Sequence, residues 1–405
     1  MEQEFHYATL STGLRIVMRR RGGAAVEHCG LAVNAGSRDE APGHYGLAHF
    51  VEHTIFKGTS RRRAWHILNR MERVGGELNA YTTKEETMLY STFPKGNLAR
   101  ALDLISDLVE GSCFPAVEIE RERQVVCDEI DTYLDIPSEG IFDDFEEMIY
   151  AGSTLAHPIL GSRESVDCLD SSVCRDWLER FYTPGEMVLF YSGPESPDRF
   201  VRLAERYFAT LTRPDVPRGR GAPVEVPAFS TVKNIGSHQA HTVLGARIDG
   251  LHDPMRYAMS LLTNLLGGPG MNSLLNVALR ERRGLVYTID ASTSLMTDTG
   301  LFTIYFGCDE GDVARCCRLV DDVIAPLRDG KLTERKLNEA KTQYIGQLTV
   351  ASTQTEQSAL SMARSTLYLG HAMTGREILD AIHGVTLQDI RRCASRLELS
   401  RLTMV

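Results

Sequence analysis

Apolar positions along the chain fall into short runs and longer helical repeats, separated by turn residues. Leu14–Val17 and Cys29–Ala35 are read as strands, and so is the alternating run Met88–Phe93. Tyr45–Lys57, Arg63–Val74, Leu98–Glu110 and Val117–Leu134 carry apolar residues at helical spacing and predict helices. Residues 287–296 and 300–308 are a hairpin candidate that turns through Thr297-Asp298-Thr299. Strands followed by long helices, without strict βαβ alternation, predict an α+β class with a mainly antiparallel sheet and helices packed on one face.

Leu211–Phe229 holds four prolines and two glycines among polar residues, a composition that continues neither a helix nor a central strand. It divides the chain into 1–210 and 230–405. The two parts share a local signature. Tyr90–Glu110 and Tyr305–Ala325 each run from a strand end through a glycine turn (Gly96, Gly311) into an amphipathic helix with Ala-Arg at the same place. The offset of 215 residues between Tyr90 and Tyr305 is read as a duplication of one α+β domain. Chance similarity of two strand–turn–helix units accounts for this stretch equally well.

The 405 residues are 43% apolar and 24% charged, which is the range of an ordinary globular protein and excludes disordered and fibrous classes. The formal charge of −10 argues against nucleic acid as a partner. Arg19–Arg21 and Arg61–Arg63 are therefore read as solvated surface. No apolar stretch is long enough for a membrane helix, and the first residues lack a basic and apolar leader pattern. Nine cysteines without a Cys-x-x-Cys pair read as reduced, buried side chains of a cytoplasmic protein.

The strongest chemical signal is His49-Phe50-Val51-Glu52-His53. Residues at i and i+4 share a helix face, so both imidazoles can hold one metal ion. Two histidines and a carboxylate around zinc leave a fourth position for water, the catalytic arrangement. Glu52, three residues from His49, can reach the same face and accept that water's proton. The order inverts the His-Glu-x-x-His motif. Gly46-Leu47-Ala48 before it and Phe56-Lys57-Gly58-Thr59 after it bound a short helix and weigh against a chance match. A third ligand is expected from the acidic helix 118–130. Glu122 and Glu129 are seven residues apart and nearly eclipsed, and spacing does not choose between them.

The run Gly46–Thr59, with Glu129 downstream, resembles the pitrilysin, insulinase and mitochondrial-processing-peptidase family of inverted zincins, in a short bacterial-type form. The resemblance covers nearly the whole chain. It implies two homologous domains, with 1–210 the catalytic zinc-binding copy and 230–405 a degenerate copy that contributes substrate contacts. It implies one Zn2+ per subunit on His49, His53 and Glu129, with Glu52 as general base and Glu122 supporting the site. Gly75–Thr82 looks like the family's glycine turn and edge strand, which implies that Asn79, Ala80, Tyr81 and Thr82 pair with an extended peptide. Leu279–Tyr287 resembles the family's Arg and Tyr pair, which implies that Arg280 holds the substrate backbone and Tyr287 donates to the developing oxyanion. Gly267–Asn272 looks like its glycine-rich loop, with Gly268 and Gly270 facing substrate. No Gly-Lys-[Ser/Thr] follows to make it a phosphate loop. At an offset of 215, residues 49–53 map onto Asn264–Gly268, and at an offset of 214 Glu129 maps onto Gln343, neither of which offers metal ligands.

The expected activity is zinc-dependent cleavage of extended peptides or unfolded segments inside a closed chamber formed by a homodimer. A non-catalytic or partner-dependent subunit of a hetero-oligomeric processing peptidase is the alternative, and a zinc-stabilised binding module is a third class.

Overall fold

The computed structural model describes residues 5–216 and 218–405; residues 1–4 and Pro217, inside the expected linker, lie outside the described residues. The first part of the chain runs β1 (Phe5–Thr9), β2 (Arg15–Arg20), β3 (Val26–Val33), α1 (Leu47–Thr54), α2 (Ala64–Glu72), β4 (Glu77–Thr82), β5 (Thr87–Pro94), α3 (Leu98–Gly111), α4 (Ala116–Leu134), α5 (Pro137–Ile149), α6 (Arg163–Asp167), α7 (Ser171–Phe181), β6 (Met187–Gly193) and α8 (Pro197–Phe208). The rest runs β7 (Ser230–Lys233), β8 (Ala240–Ile248), α9 (Arg256–Gly267), β9 (Val286–Leu295), β10 (Gly300–Cys308), α10 (Val313–Arg328), α11 (Glu334–Ala351), α12 (Thr355–Leu369), α13 (Gly375–Gly384), α14 (Leu387–Ser395) and β11 (Ser400–Met404). No helix among the described residues is long and apolar enough to cross a membrane. The nine cysteines are free, and six of them are buried.

The chain forms two compact units. Unit 1 holds the chain up to Asp131, then His157–Arg220 and Ser352–Gly375; unit 2 holds Thr132–Ala156, Gly221–Ala351 and Arg376–Val405. The expected division at 211–229 is therefore crossed twice: the segment with α5 belongs to unit 2, and the segment with α12 belongs to unit 1.

In unit 1 the strand order is β1-β2-β6-β3-β5-β4, and in unit 2 it is β7-β11-β8-β10-β9. The pairing is the same in both. β2 and β6 are parallel, as are β7 and β11. The other pairs of corresponding strands, β3 with β6 and β5 or β8 with β11 and β10, are antiparallel, as are the outer pairs β4–β5 and β9–β10. The duplication seen in one strand–helix segment thus extends to five strands of each sheet.

Helices cover both faces of each sheet, where one face was expected. In unit 1, Leu31, Leu89 and Leu189 pack with Phe50, Leu102 and Phe200 from α1, α3 and α8. On the other face, Val17, Ala32, Met88, Val188 and Phe190 meet Ala359, Leu360, Ala363 and Leu367 of α12. Burial on both faces explains why β6, MVLFYSG, is a continuous apolar run rather than an alternating one. In unit 2, α9, α10 and α14 cover one face through Leu262, Val320 and Ile390. Ile141, Phe145 and Ile149 of α5 cover the other, against Val243, Leu301 and Leu402. Gly245 in β8 has a direct role there: a Cβ would come within 2.6 Å of the Phe145 ring.

His28, buried in β3, ties the sheet of unit 1 to α12. Its Nδ1 is 2.8 Å from Thr92 Oγ1 and its Nε2 is 2.9 Å from Thr355 Oγ1. Burial, helped by Arg21, holds its pKa below the ordinary value against the opposing pull of Glu356. The folded chain therefore keeps His28 neutral while the unfolded chain protonates near pH ~6.5, so its contribution is present above that pH and declines below it. Denaturant unfolding should show stability falling between pH 7.5 and 5.5, with a shallower fall in His28→Gln. Phe145→Ala should cost about 3–5 kcal/mol in the same assay, the usual penalty for emptying a buried aromatic site.

Candidate metal centre

The centre begins with a helix of eight residues, α1, too short to stand alone in water. Its N-terminus is closed by Glu40, whose carboxylate oxygens accept from Gly46 N–H and Ala48 N–H, both at 2.8 Å. A carboxylate here satisfies orphan donors and favours the positive end of the helix dipole. Glu40 is buried, and burial pushes its pKa up, opposed by His157 and the two backbone donors. His157 Nε2 lies 3.0 Å from Glu40 Oε2 and 2.9 Å from Ser37 O, and its ring stacks on Tyr45. Gly46 has φ +89°, and a Cβ there would lie 2.4 Å from Leu160 O.

His49 and His53 stand one turn apart on this helix, with ring centroids 4.6 Å apart. Glu129 of α4 places Oε2 3.8 Å from His49 Nε2 and 3.5 Å from His53 Nε2. Ligand atoms of the three residues lie within 4.8 Å of one another, and they are the only such group of three among the described residues. The other eclipsed acid, Glu122, lies 3.4 Å from His53 Nδ1 through Oε2 and 2.6 Å from Lys57 Nζ through Oε1. Glu129 thus meets the Nε2 side of the imidazoles, and Glu122 meets the back of His53, where a carboxylate fixes the ring and its tautomer.

These residues fit a zinc ion. Tetrahedral zinc with N and O ligands at 2.0–2.2 Å needs those atoms about 3.3–3.6 Å apart. Burial, then His53, pushes the His49 pKa down to about 3, so the imidazole is neutral and its lone pair free for a cation. His49 Nδ1 is buried without a hydrogen-bond partner. The side chain of His49 is 9% exposed and that of Glu129 45%, so the cluster is enclosed on the α1 side and open on the α4 side.

Glu52 sits beside Thr82, His53 and Glu129. Burial is the main cause that raises its pKa, so its carboxylate is more basic than an exposed one. β4 is the edge of its sheet and pairs only with β5. Leu78 and Ala80 pack into the core below α1, while Tyr81 turns to the α12 face and bonds Glu86 and Arg364. Asn79 is exposed, and the Thr82 side chain neighbours Glu52.

In unit 2, Arg280, Gly268 and Gly270 line one cavity of about 320 Å³ with Asp290. Tyr287 is exposed and lies outside that lining, its hydroxyl donated to Asp309 at 2.8 Å. Asn264, the offset counterpart of His49, donates to Gln347 Oε1 of α11 at 2.7 Å. Glu40, Lys57 and His157 were not singled out from the sequence, because their roles rest on partners distant along the chain. The one signal was Lys57 within the run after the motif.

A model of the insulinase family, peptidase family M16, matches residues 15–163, and a model described as the peptidase M16 inactive domain matches residues 170–344. The chain is 30% identical to the uncharacterized zinc protease YmxG of Bacillus subtilis, over 96% of this chain and 94% of that protein. It is 31% identical to an uncharacterized zinc protease of Streptomyces coelicolor, over 95% and 85%. Among solved structures, a protease from Helicobacter pylori matches with a TM-score of 0.91 at 18% identity, over 100% of both chains. A peptidase M16 inactive domain from Pseudomonas fluorescens matches at 0.90 and 17%, over 99% and 97%. The two solved structures are alike in fold.

Competition against a chromophoric chelator should find one high-affinity zinc per chain. Glu122→Gln should lose about 10–100-fold in affinity, the usual effect of removing a carboxylate behind a metal-binding histidine. Glu129→Gln should lose more.

Proposed function

The chain belongs to the insulinase family, peptidase family M16, and on that premise we propose that it is a zinc-dependent endopeptidase acting on extended peptides or unfolded segments. The observation that carries this reading is the convergence of His49, His53 and Glu129 from two helices, with Glu52 and the edge strand β4 beside them. His49, His53 and Glu129 hold the ion. When bound, zinc supplies positive charge that polarises the scissile carbonyl and acidifies water.

Glu52 takes a proton from the attacking water and passes it to the departing amine. Its buried setting favours the protonated form and so strengthens it as a base. The outer backbone groups of β4, at Asn79–Thr82, pair with an extended substrate and hold it with little demand on sequence. Arg280 and the Gly268–Gly270 loop take part of the substrate backbone, and Tyr287 donates to the oxyanion. In this reading two copies of the chain form a homodimer in the cytoplasm and enclose a chamber that admits peptides and excludes folded proteins.

A second reading, a subunit that needs an unlike partner, draws on Tyr287, whose hydroxyl is engaged with Asp309.

The test is cleavage of a mixed pool of unfolded peptides, read by mass spectrometry and paired with light scattering. A zinc-loaded homodimer should cut the pool, a chelator should stop it, and Glu52→Gln should lose cleavage while retaining zinc. A zinc-loaded wild type that cuts nothing would turn the assignment to the partner-dependent reading.

A further inference from the structure

We propose that unit 1 carries a second binding site, for a small diphosphate-bearing anion, in the arginine-lined cavity between α2 and α3. The cavity holds about 360 Å³, and its lining includes Arg61, Arg62, Arg70, Arg73, Arg100 and His66. That is ample for a pair of phosphates and lies within the size range of small-molecule sites.

Two nearly buried carboxylates, Asp103 and Asp107 on α3, organise the arginines. Arg61 Nη2 is 2.8 Å from Asp103 Oδ1, and Arg70 Nη2 is 2.9 Å from Asp103 Oδ2. Arg62 bridges both acids, with Nη1 2.5 Å from Asp107 Oδ2 and Nη2 on Asp103 Oδ2. Thr59 Oγ1 donates to Asp107 and accepts from the backbone N–H groups of Arg61 and Arg62, which pins the connecting segment. Arg100 donates to Arg70 O at 2.9 Å. The expected solvated basic face therefore does not describe Arg62, whose side chain is only 13% exposed.

Five guanidinium groups outnumber Asp103, Asp107 and Glu110, whose charge also reaches Arg61, so positive charge is in excess in one cavity, on a chain of formal charge −10. Like charges gathered this way repel one another, and the free chain bears that cost. Each guanidinium keeps donors beyond those given to the aspartates. The planar fork matches phosphate oxygens two at a time. A single carboxylate would occupy one fork and neutralise one charge; a diphosphate supplies several oxygens and enough negative charge to offset the excess.

The test is calorimetric titration of inorganic pyrophosphate into the full chain at about 150 mM salt, where loose surface attraction is largely screened. Saturable binding at one site per chain is expected. Arg73 makes no ion pair among the described residues and stands apart from the aspartate network, so Arg73→Glu should leave the melting temperature unchanged and weaken binding about 10-fold or more, the worth of one charged hydrogen bond. The double variant Arg73→Glu/Arg100→Glu should abolish it. Glu129→Gln, which keeps every arginine, should bind as wild type does, since the anion would not be resting on zinc. Absence of binding, indifference to the double variant, or loss in Glu129→Gln would overturn the proposal. A glutamate hexapeptide binding more tightly than pyrophosphate would overturn its phosphate chemistry.

Discussion

The chemistry of unit 1 hangs on a carboxylate buried at the head of a two-turn helix. Glu40 accepts the first N–H groups of α1 and is held by His157. Without that closure an eight-residue helix has little to fix its axis, yet the imidazoles of His49 and His53 both project from it. The second constraint lies one turn beyond the motif. Lys57 draws Glu122 to the back of His53, and the next eclipsed acid, Glu129, then falls on the Nε2 side. The placement of His49, His53 and Glu129 is thus set by charged groups outside the three.

Much of this was legible because it is local. The helices α1 to α4 and the β9–β10 hairpin lie within a few residues of their expected ranges, since their periodicity is written into consecutive residues. The His-x-x-Glu-His spacing likewise named its residues directly. Glu122 and Glu129 could not be told apart by spacing, since both share one helix face; what separates them is Lys57, which reaches α4 from another element. The destinations of α5 and α12 were also hidden. Ile141, Phe145 and Ile149 mark an amphipathic helix, but nothing near them says that their partners are Val243 and Leu402.

The duplication shows how one scaffold keeps its architecture while its chemistry departs. α1 and α4 in unit 1 correspond in chain order to α9 and α11 in unit 2. Where the first pair brings imidazoles to a carboxylate, the second joins Asn264 to Gln347 through neutral amides. An amide pair satisfies its own donors and acceptors and has little affinity for a cation. The helices stay pinned together, and the pull on a metal is gone.

Lending one helix in each direction couples the two units in time. During synthesis the six strands of unit 1 are complete once β6 has emerged, yet Val17, Ala32, Met88, Val188 and Phe190 stay uncovered until α12 follows, near the end of the chain. α5, made early, waits with Phe145 bare for Gly245 and the rest of its sheet. Neither half can mature on the ribosome ahead of the other, and the nascent chain carries sticky apolar faces through most of its elongation. The two copies of the scaffold therefore reach their folded cores together rather than one after the other.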